Sequence, residues 1–354
     1  MTNIERIRQA LPEHNIPAML ITSDKCRLFA TGFLSSAGAL VVSENDAWLF
    51  VDTRYFEMAQ ATVKDAQVLL MPFEKTLFDC VKDIVEKNNI KSIGFEDGKV
   101  TYADHQKWLE KLGIEMTPAG KLLSDLRAIK SRDDLDKMIK AQRLSEKVFN
   151  EILPLITTEM TENDLAAEII YRMLKHGADD KAFSPIVVSG AKSSMPHGVP
   201  GDVKIGKGFL TLDFGALHNG WCSDTTRTLC VGEPTDEMVK VYNTVLEAQL
   251  AGIGAVRAGA SCFDVDATAR NVIKDAGYGD YFKHGLGHGV GLEVHENPFA
   301  SPLSKDTLQA GVIMTVEPGI YLPGKFGVRI EDTVYVTNNG CENITTLPKK
   351  LLVI

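Results

Sequence analysis

The stretch FLTLDFGALHNGWCSDTTRTLCV, residues 209–231, limits most strongly what this chain can fold into. Asn-Gly between runs of alternating apolar residues is the strongest short signal for a β-hairpin with a two-residue turn. If Asn219 and Gly220 form the turn, Asp213 pairs with Thr226. Asp224 then lies diagonally across the same face, about 7–8 Å from Asp213. A three-residue loop would reverse this parity and leave the acids on other faces.

Two carboxylates that converge in an apolar hairpin repel each other unless positive charge lies between them. Two further acids lie on predicted strands. VIMTVEPGIY ends a strand at Glu317, and GVRIEDTVYV alternates as one strand with Arg329 and Glu331 on its polar face. Taken singly, each acid would be a surface or turn residue. The set of four carboxylates indicates a cation site.

The stretch HGLGHGVGLEVHE, residues 284–296, contains His284, His288 and His295 with glycines at alternate positions. Such glycines would each cost about 1 kcal/mol in a helix, and the zinc-helix motif His-Glu-x-x-His is absent. We therefore expect an extended or looped segment whose glycines allow close backbone approach, with a bend that brings His295 to the same site. The alternative is a flexible surface loop. His197 lies in another turn-rich loop, PHG.

Length and charge restrict the class of protein. A chain of 354 residues exceeds what one core usually serves, so two domains are expected. The net charge of −9, with no basic block, argues against nucleic acid or an anionic membrane as partner. The sequence has no run of about 20 apolar residues, so we expect no transmembrane helix. Scattered cysteines without Cys-x-x-Cys indicate reduced thiols, and we expect a cytoplasmic protein.

The order of the patterns predicts two kinds of domain. Residues 1–124 alternate helical and strand patterns, which favours an α/β layer, and no Gly-x-Gly-x-x-Gly motif supports dinucleotide binding. A boundary falls near TPAGKLLSDLRAIKSRDD, where Ser131 and Asp134 resemble a helix start. Residues 125–354 combine long helices with strands rich in Val, Ile and Thr, which favours an α+β domain.

Several motifs of this chain resemble the pita-bread metallopeptidase family of Xaa-Pro peptidases, which includes creatinase, aminopeptidase P and prolidase. In order along the chain they are PHG, DFGALHNGWCSDTTRT, HGLGHGVGLEVHE, TVEPGIY and VRIED. The resemblance implies a creatinase-like α/β domain over residues 1–124 and a pita-bread α+β catalytic domain over residues 125–354. It also implies a dinuclear metal site. Asp213 would chelate one metal, His288 and Glu317 would bind the second, and Asp224 and Glu331 would bridge both.

The resemblance assigns the neighbouring residues as well. Residues like His197, His284 and His295 surround the substrate in this family, and an arginine in the place of Arg329 supports the metal ligands or the substrate. Glu317 is a candidate proton shuttle. Two divalent ions are implied, with manganese expected first and cobalt, zinc or iron as alternatives. A homodimer is a further family expectation.

The expected function is that of an Xaa-Pro aminopeptidase. Such an enzyme hydrolyses the bond before a proline in second position, using water activated by two metals, and releases the N-terminal residue. The alternatives are an Xaa-Pro dipeptidase (prolidase), a methionine aminopeptidase and a non-catalytic binding protein. Methionine aminopeptidases typically have Gln in the place of Arg329, whereas creatinases lack the ligands. Many relatives have Asn where this chain has Lys192. We expect this difference to affect how the substrate enters the site.

Overall fold

The short apolar runs in the first third of the chain form strands in a computed structural model, which describes all residues from Met1 to Ile354. The chain divides into two units, Met1–Arg127 and Ala128–Ile354. The elements that begin in the first unit are α1 Asn3–Ala10, β1 Ala18–Ile21, α2 Asp24–Thr31, β2 Ala39–Ser43, β3 Ala47–Val51, α3 Phe56–Thr62, β4 Gln67–Leu70, α4 Leu77–Lys87, β5 Ser92–Phe95, α5 Tyr102–Leu112, β6 Glu115–Pro118 and α6 Gly120–Ala128.

The first unit is built on one mixed sheet with the strand order β4-β3-β2-β1-β5-β6. The strands β1, β2 and β3 pair antiparallel, and the outer pairings to β4, β5 and β6 are parallel. Apolar side chains of the sheet, such as Val41 and Phe50, pack with Val81 of α4 and Trp108 of α5. This helix-on-sheet layer confirms the predicted α/β class.

The first long helix of the second unit begins after the predicted capping residue, Ser131. The Ser131 hydroxyl accepts a hydrogen bond from the Asp134 N–H, and the Asp134 carboxylate accepts one from the Ser131 N–H. The elements that follow are α7 Arg132–Ile152, α8 Glu162–Lys175, β7 Asp180–Lys181, β8 Ile186–Ser189, β9 Gly208–Asp213, β10 Ala216–His218, β11 Trp221–Cys222, β12 Thr226–Val231, α9 Asp236–Ala255, α10 Cys262–Asp275, β13 Gly287–Gly289, β14 Glu296–Ala300, β15 Ile313–Val316, β16 Gly319–Leu322, β17 Phe326–Arg329, β18 Asp332–Val336 and β19 Cys341–Asn343.

Two helix pairs cover the strands of this unit. Residues of α7 and α8, such as Phe149 and Ile169, share a core with Leu212 of the sheet β12-β9-β8. Residues of α9 and α10 share a second core with the sheet β14-β13-β15-β18-β19, as Val245 and Met314 do. This combination of helices and mostly antiparallel strands is the α+β class predicted from the sequence. None of the helices is both long and apolar enough to span a membrane.

The hairpin forms with the predicted register. Asn219 and Gly220 have φ angles of 51° and 80°, and a two-residue turn that matches the strand twist requires such positive values. His218 pairs with Trp221, and Asp213 pairs with Thr226. This register therefore brings Asp213 and Asp224 to the same region of the sheet.

One predicted strand is divided into two. GVRIEDTVYV does not run as a single strand, because its first half, β17, pairs with β16 and its second half, β18, pairs with β15. The break lies at Ile330 and Glu331, where the Glu331 N–H donates to the Thr226 carbonyl at 3.2 Å. Asp332 is fully buried, and it is paired with Arg227 at 2.8 Å.

The glycines of residues 284–296 are needed for close packing of backbone against backbone. A Cβ at Gly287 would overlap the Thr315 carbonyl oxygen, and a Cβ at Gly289 would overlap the Asn297 carbonyl oxygen. The segment is extended at Gly287–Gly289, and its residues 286–292 are buried, so it is not a flexible surface loop. A register shift after His288 supplies the expected bend.

We predict that Gly287→Ala lowers the free energy of unfolding by about 1–3 kcal/mol, because the added methyl group has no room beside Thr315. Gly254→Ala is the control, since this exposed position in α9 has open space and alanine favours a helix by up to about 1 kcal/mol. Thermal unfolding of both variants measures the difference. Equal midpoints for the two variants would contradict the close approach.

Candidate active site

A cavity of about 450 Å³ in the second unit contains every residue to which the sequence assigns a functional role. The cavity is lined by the predicted metal ligands and by the predicted substrate-contacting residues, namely Asp213, Asp224, His288, Glu317, Glu331, His197, His284, His295 and Arg329. These side chains come from the hairpin, the glycine-rich segment, two strand ends and one loop. The fold therefore brings groups that are distant in sequence into one pocket.

Three carboxylates form the most compact part of this pocket. Asp213 ends β9, Asp224 lies just before β12, and Glu331 lies between β17 and β18. Each of the three offers a carboxylate oxygen within 4.8 Å of the others. The Thr226 hydroxyl donates to Glu331 Oε2 at 2.7 Å and fixes that side chain. All three acids are buried.

His288 and Glu317 extend the cluster on its second side. His288 Nε2 lies 3.2 Å from Glu317 Oε1 and 3.8 Å from Asp224 Oδ2. The Thr315 hydroxyl accepts a hydrogen bond from the His288 N–H at 3.0 Å and donates one to Glu317 Oε1 at 3.1 Å. His288 Nδ1 lies 3.1 Å from the Gly289 carbonyl. That contact favours a proton on Nδ1, so Nε2, which carries a second proton when it donates to Glu317, binds a cation once that proton is released.

Burial makes full ionisation of these acids costly. Removal from water raises the pKa of Asp213, and it raises the pKa of Asp224 and Glu331 well above the usual range, with the neighbouring carboxylates adding to the rise. Burial also acts on Glu317, but the hydrogen bond and charge of His288 outweigh it and hold the pKa of Glu317 at about 2. Added positive charge would let all four carboxylates ionise together.

Two oxygen atoms of the cluster have no hydrogen-bond partner in the protein. Asp213 Oδ1 and Glu331 Oε1 are both buried and unpaired, whereas nearly all buried polar atoms in proteins are paired. Carboxylate oxygens with one imidazole are a suitable ligand set for divalent transition-metal ions. The residues present therefore fit the pair of divalent cations that the family resemblance implies.

Arg329 connects the carboxylate cluster with the pocket wall. Its Nη2 donates to Asp213 Oδ2 at 2.6 Å, and its Nε donates to the Thr226 hydroxyl at 3.1 Å. Its Nη1 donates to the Tyr321 hydroxyl at 3.0 Å and to the Pro196 carbonyl at 3.2 Å. Burial opposes the charge, but Tyr321 and the nearby carboxylates raise the pKa of Arg329 well above its usual value. The guanidinium is thus a permanent charge that is already hydrogen-bonded within the protein.

The other histidines lie around this cluster. His284 Nε2 lies 2.9 Å from the Tyr321 hydroxyl, and the His295 ring lies with its centroid 4.2 Å from that of His288. Burial lowers the pKa of His284 and of His295, so both rings are neutral at neutral pH and retain a hydrogen-bond donor. His197 is exposed and lies in the loop that follows a 3-10 helix at Gly190–Ser194.

Tyr321 belongs to this site but was not identified from the sequence. Its hydroxyl is the common partner of His284 and Arg329. The signal that could have identified it is the hairpin around Pro323 and Gly324, because β16 and β17 pair with Tyr321 opposite Gly327. Alternation along β17 then places Tyr321 and Arg329 on one face.

Comparison with known proteins gives matches along the whole chain. Residues 136–338 match metallopeptidase family M24, and residues 3–129 match the creatinase/prolidase N-terminal domain. An Xaa-Pro dipeptidase from Bacillus anthracis is 38% identical with a TM-score of 0.96, and 99% of each chain is covered. An X-Pro aminopeptidase from Thermotoga maritima MSB8 is 36% identical with a TM-score of 0.92, covering 96% of this chain and 98% of that chain. An Xaa-Pro dipeptidase of Pyrococcus furiosus is 36% identical over 99% of both chains.

These matches confirm the two domain types expected from the sequence, a creatinase-type N-terminal domain and a pita-bread C-terminal domain. They also confirm that the protein is an enzyme. The similar proteins include both dipeptidases and an aminopeptidase, so their names leave the substrate length open. The chain belongs to metallopeptidase family M24 and carries the creatinase/prolidase N-terminal domain.

Proposed function

We propose that this chain is an Xaa-Pro aminopeptidase that hydrolyses the peptide bond before proline with two divalent metal ions. The supporting observation is the buried cluster of four carboxylates and one imidazole, in which two carboxylate oxygens have no protein partner. Asp213 would bind one ion, His288 and Glu317 the other, and Asp224 and Glu331 both. When bound, the ions would supply an activated water and polarise the scissile carbonyl.

The protein's own groups would orient the substrate and move the proton. The neutral rings of His284 and His295 would donate hydrogen bonds to the peptide, with His284 held in place by the Tyr321 hydroxyl. Glu317 is ionised at neutral pH, and its Oε1 is already bonded to Thr315. We therefore assign its Oε2 as the atom that takes the proton from the attacking water.

The remaining wall of the pocket suits a proline ring. Apolar side chains from several segments line it, namely Phe183, Pro185, Ile186, Val199, Pro200, Val294 and Phe299. A pyrrolidine ring is apolar and has no N–H, so it can bury against such a wall without leaving a donor unpaired.

The charges in the pocket favour an aminopeptidase over a dipeptidase. A strict dipeptidase gains selectivity from a fixed cation that binds the C-terminal carboxylate of its substrate. Arg329 is the only lysine or arginine that lines the cavity, and it is 3% exposed with its donors directed to protein acceptors. The cavity therefore offers no cationic group with free donors to the carboxylate of a dipeptide, and a longer peptide forgoes no such ion pair when it binds. An Xaa-Pro dipeptidase is the alternative, because the relatives include enzymes of that name.

Four finer assignments complete the proposal. Manganese is the proposed metal, because a set of carboxylates with one imidazole suits it well. A homodimer follows from the family resemblance, and a cytoplasmic location follows from the scattered cysteines without Cys-x-x-Cys. Residues 1–124 would be the accessory domain and residues 125–354 the catalytic domain.

Replacing the proposed bridging ligand should abolish activity. Loss of a residue that hydrogen-bonds to a metal ligand typically costs roughly 10–100-fold in activity. We predict that Asp224→Ala, which removes a ligand itself, lowers kcat by more than this and reduces the amount of metal bound per chain. Asp236→Ala, an exposed position at the start of α9, is the control. Metal content and kcat are measured on the same preparation. Near-normal turnover of Asp224→Ala would exclude the bridging role.

His295 is expected to act on the substrate and not on the metals. We predict that His295→Ala retains both metal ions but lowers kcat about 100-fold, the size found when one donor to a developing charge is removed. Elemental analysis and steady-state kinetics measure the two effects separately. Loss of metal in this variant would show that His295 is a ligand.

Substrate length separates the two candidate activities. We predict that Xaa-Pro-Yaa-Zaa is cleaved with a kcat/KM at least equal to that of Xaa-Pro, because the cavity offers no fixed cation to the shorter peptide. A length series with one constant N-terminal residue measures this, with Xaa-Ala-Yaa-Zaa as the control for proline. Cleavage of the dipeptide alone would identify a dipeptidase instead.

A further inference from the structure

The loop of residues 190–201, which we call the His197 loop, forms one wall of the cavity. Pro196, His197, Gly198, Val199 and Pro200 all line the pocket. The loop joins β8 to the segment that leads into β9. Because most of its residues lie outside regular strands, its position depends on what holds its two ends.

One buried carboxylate binds both ends of this loop. Glu162, the first residue of α8, is 0% exposed. Its Oε1 accepts a hydrogen bond from the Ser189 N–H at 2.8 Å, just before the loop. Its Oε2 accepts one from the Gly201 N–H at 3.2 Å, at the end of the loop, and one from Lys192 Nζ at 2.5 Å. A single side chain thus connects the start, the middle and the end of the loop.

The backbone at the start of α8 binds the same segment. The Glu162 N–H donates to the Val203 carbonyl at 3.0 Å, and the Asn163 N–H donates to the Gly201 carbonyl at 3.1 Å. These N–H groups are among those that a helix leaves without an internal partner at its N-terminus. Helix α8 therefore both accepts hydrogen bonds from the base of the loop and donates hydrogen bonds to it.

The middle of the loop is bound to the strand that carries Arg329. The Gly327 N–H donates to the Ser193 hydroxyl at 2.9 Å, and Arg329 Nη1 donates to the Pro196 carbonyl at 3.2 Å. His197 follows Pro196 directly. The imidazole is therefore placed by a loop that is held at its base by Glu162 and at its middle by β17.

We propose that Glu162 is a positioning residue that sets His197 in the substrate pocket by fixing both ends of the His197 loop. Lys192 does not line the cavity, so it acts through its ion pair with Glu162 and not by contact with the substrate. An amide in place of the carboxylate has one acceptor oxygen and would turn an NH₂ group toward an N–H donor, which releases one end of the loop. The role rests on the proposed peptidase function.

Hydrogen exchange tests the structural part of this inference without metal or substrate. In Glu162→Gln the amides of Ser189 and Gly201 should exchange at least about tenfold faster, since each donates to this carboxylate in the wild type. Glu96→Gln is the matched control, because Glu96 is 1% exposed and accepts from the Thr22 and Ser23 N–H groups in the first unit. Unchanged exchange over residues 189–201 in Glu162→Gln would overturn the proposal.

A double-mutant cycle tests whether Glu162 acts through His197. Glu162→Gln should raise KM for an Xaa-Pro peptide about tenfold, the size expected for a lost hydrogen bond to a charged group, with kcat and bound metal little changed. In a His197→Ala background the same substitution should have no further effect on KM. Independent, multiplying effects of the two substitutions, or loss of metal from Glu162→Gln, would contradict the positioning role.

A second variant covers the case in which Glu162→Gln does not fold. Lys192→Met keeps the carboxylate and both backbone hydrogen bonds, so it should change exchange and KM in the same direction but less. No change in either quantity would overturn the role of the ion pair. If the wild type loaded with manganese cleaves no Xaa-Pro peptide, the proposed function fails, and the exchange experiment alone decides the role of Glu162.

Discussion

Repulsion among buried carboxylates is the constraint on which this site depends. Asp213, Asp224 and Glu331 share a pocket in which burial and mutual charge disfavour the ionised form. The fold supplies Arg329 and His288 as positive or polarisable partners, but two oxygens remain unpaired. Without metal, the repulsion among these carboxylates lowers the free energy of unfolding. Bound cations remove this repulsion, which makes cation binding more favourable.

The scaffold keeps these acids together with a small number of hydroxyl groups. Thr226 pairs with Asp213 in the sheet and holds Glu331 through its side chain, while Thr315 holds both His288 and Glu317. The glycine at 287 lets β13 approach Thr315 closely. Backbone register and these hydrogen bonds therefore set the geometry of the site, and the side chains of Glu331, Glu317 and His288 have little freedom to separate.

The sequence was sufficient to predict those parts of the site whose structure depends on neighbouring residues in the chain. The Asn219-Gly220 turn fixed the parity of the hairpin, and the alternate glycines excluded a helix for residues 284–296. The break at Ile330 and Glu331 could not be predicted, because alternation along one segment does not reveal that its two halves pair with strands of different sheets, β16 and β15. Glu162 was missed because its role comes from tertiary contacts and not from spacing, whereas Tyr321 was missed although its pairing with Gly327 across the β16–β17 hairpin places it on one face with Arg329.

Anomalous diffraction from crystals soaked in manganese tests the central claim most directly. The account predicts two manganese peaks in the pocket, bound by the side chains of Asp213, Asp224, His288, Glu317 and Glu331, with Asp213 Oδ1 and Glu331 Oε1 among the ligand atoms. An absence of peaks at this position, with the carboxylates turned toward solvent or paired through shared protons, would contradict it.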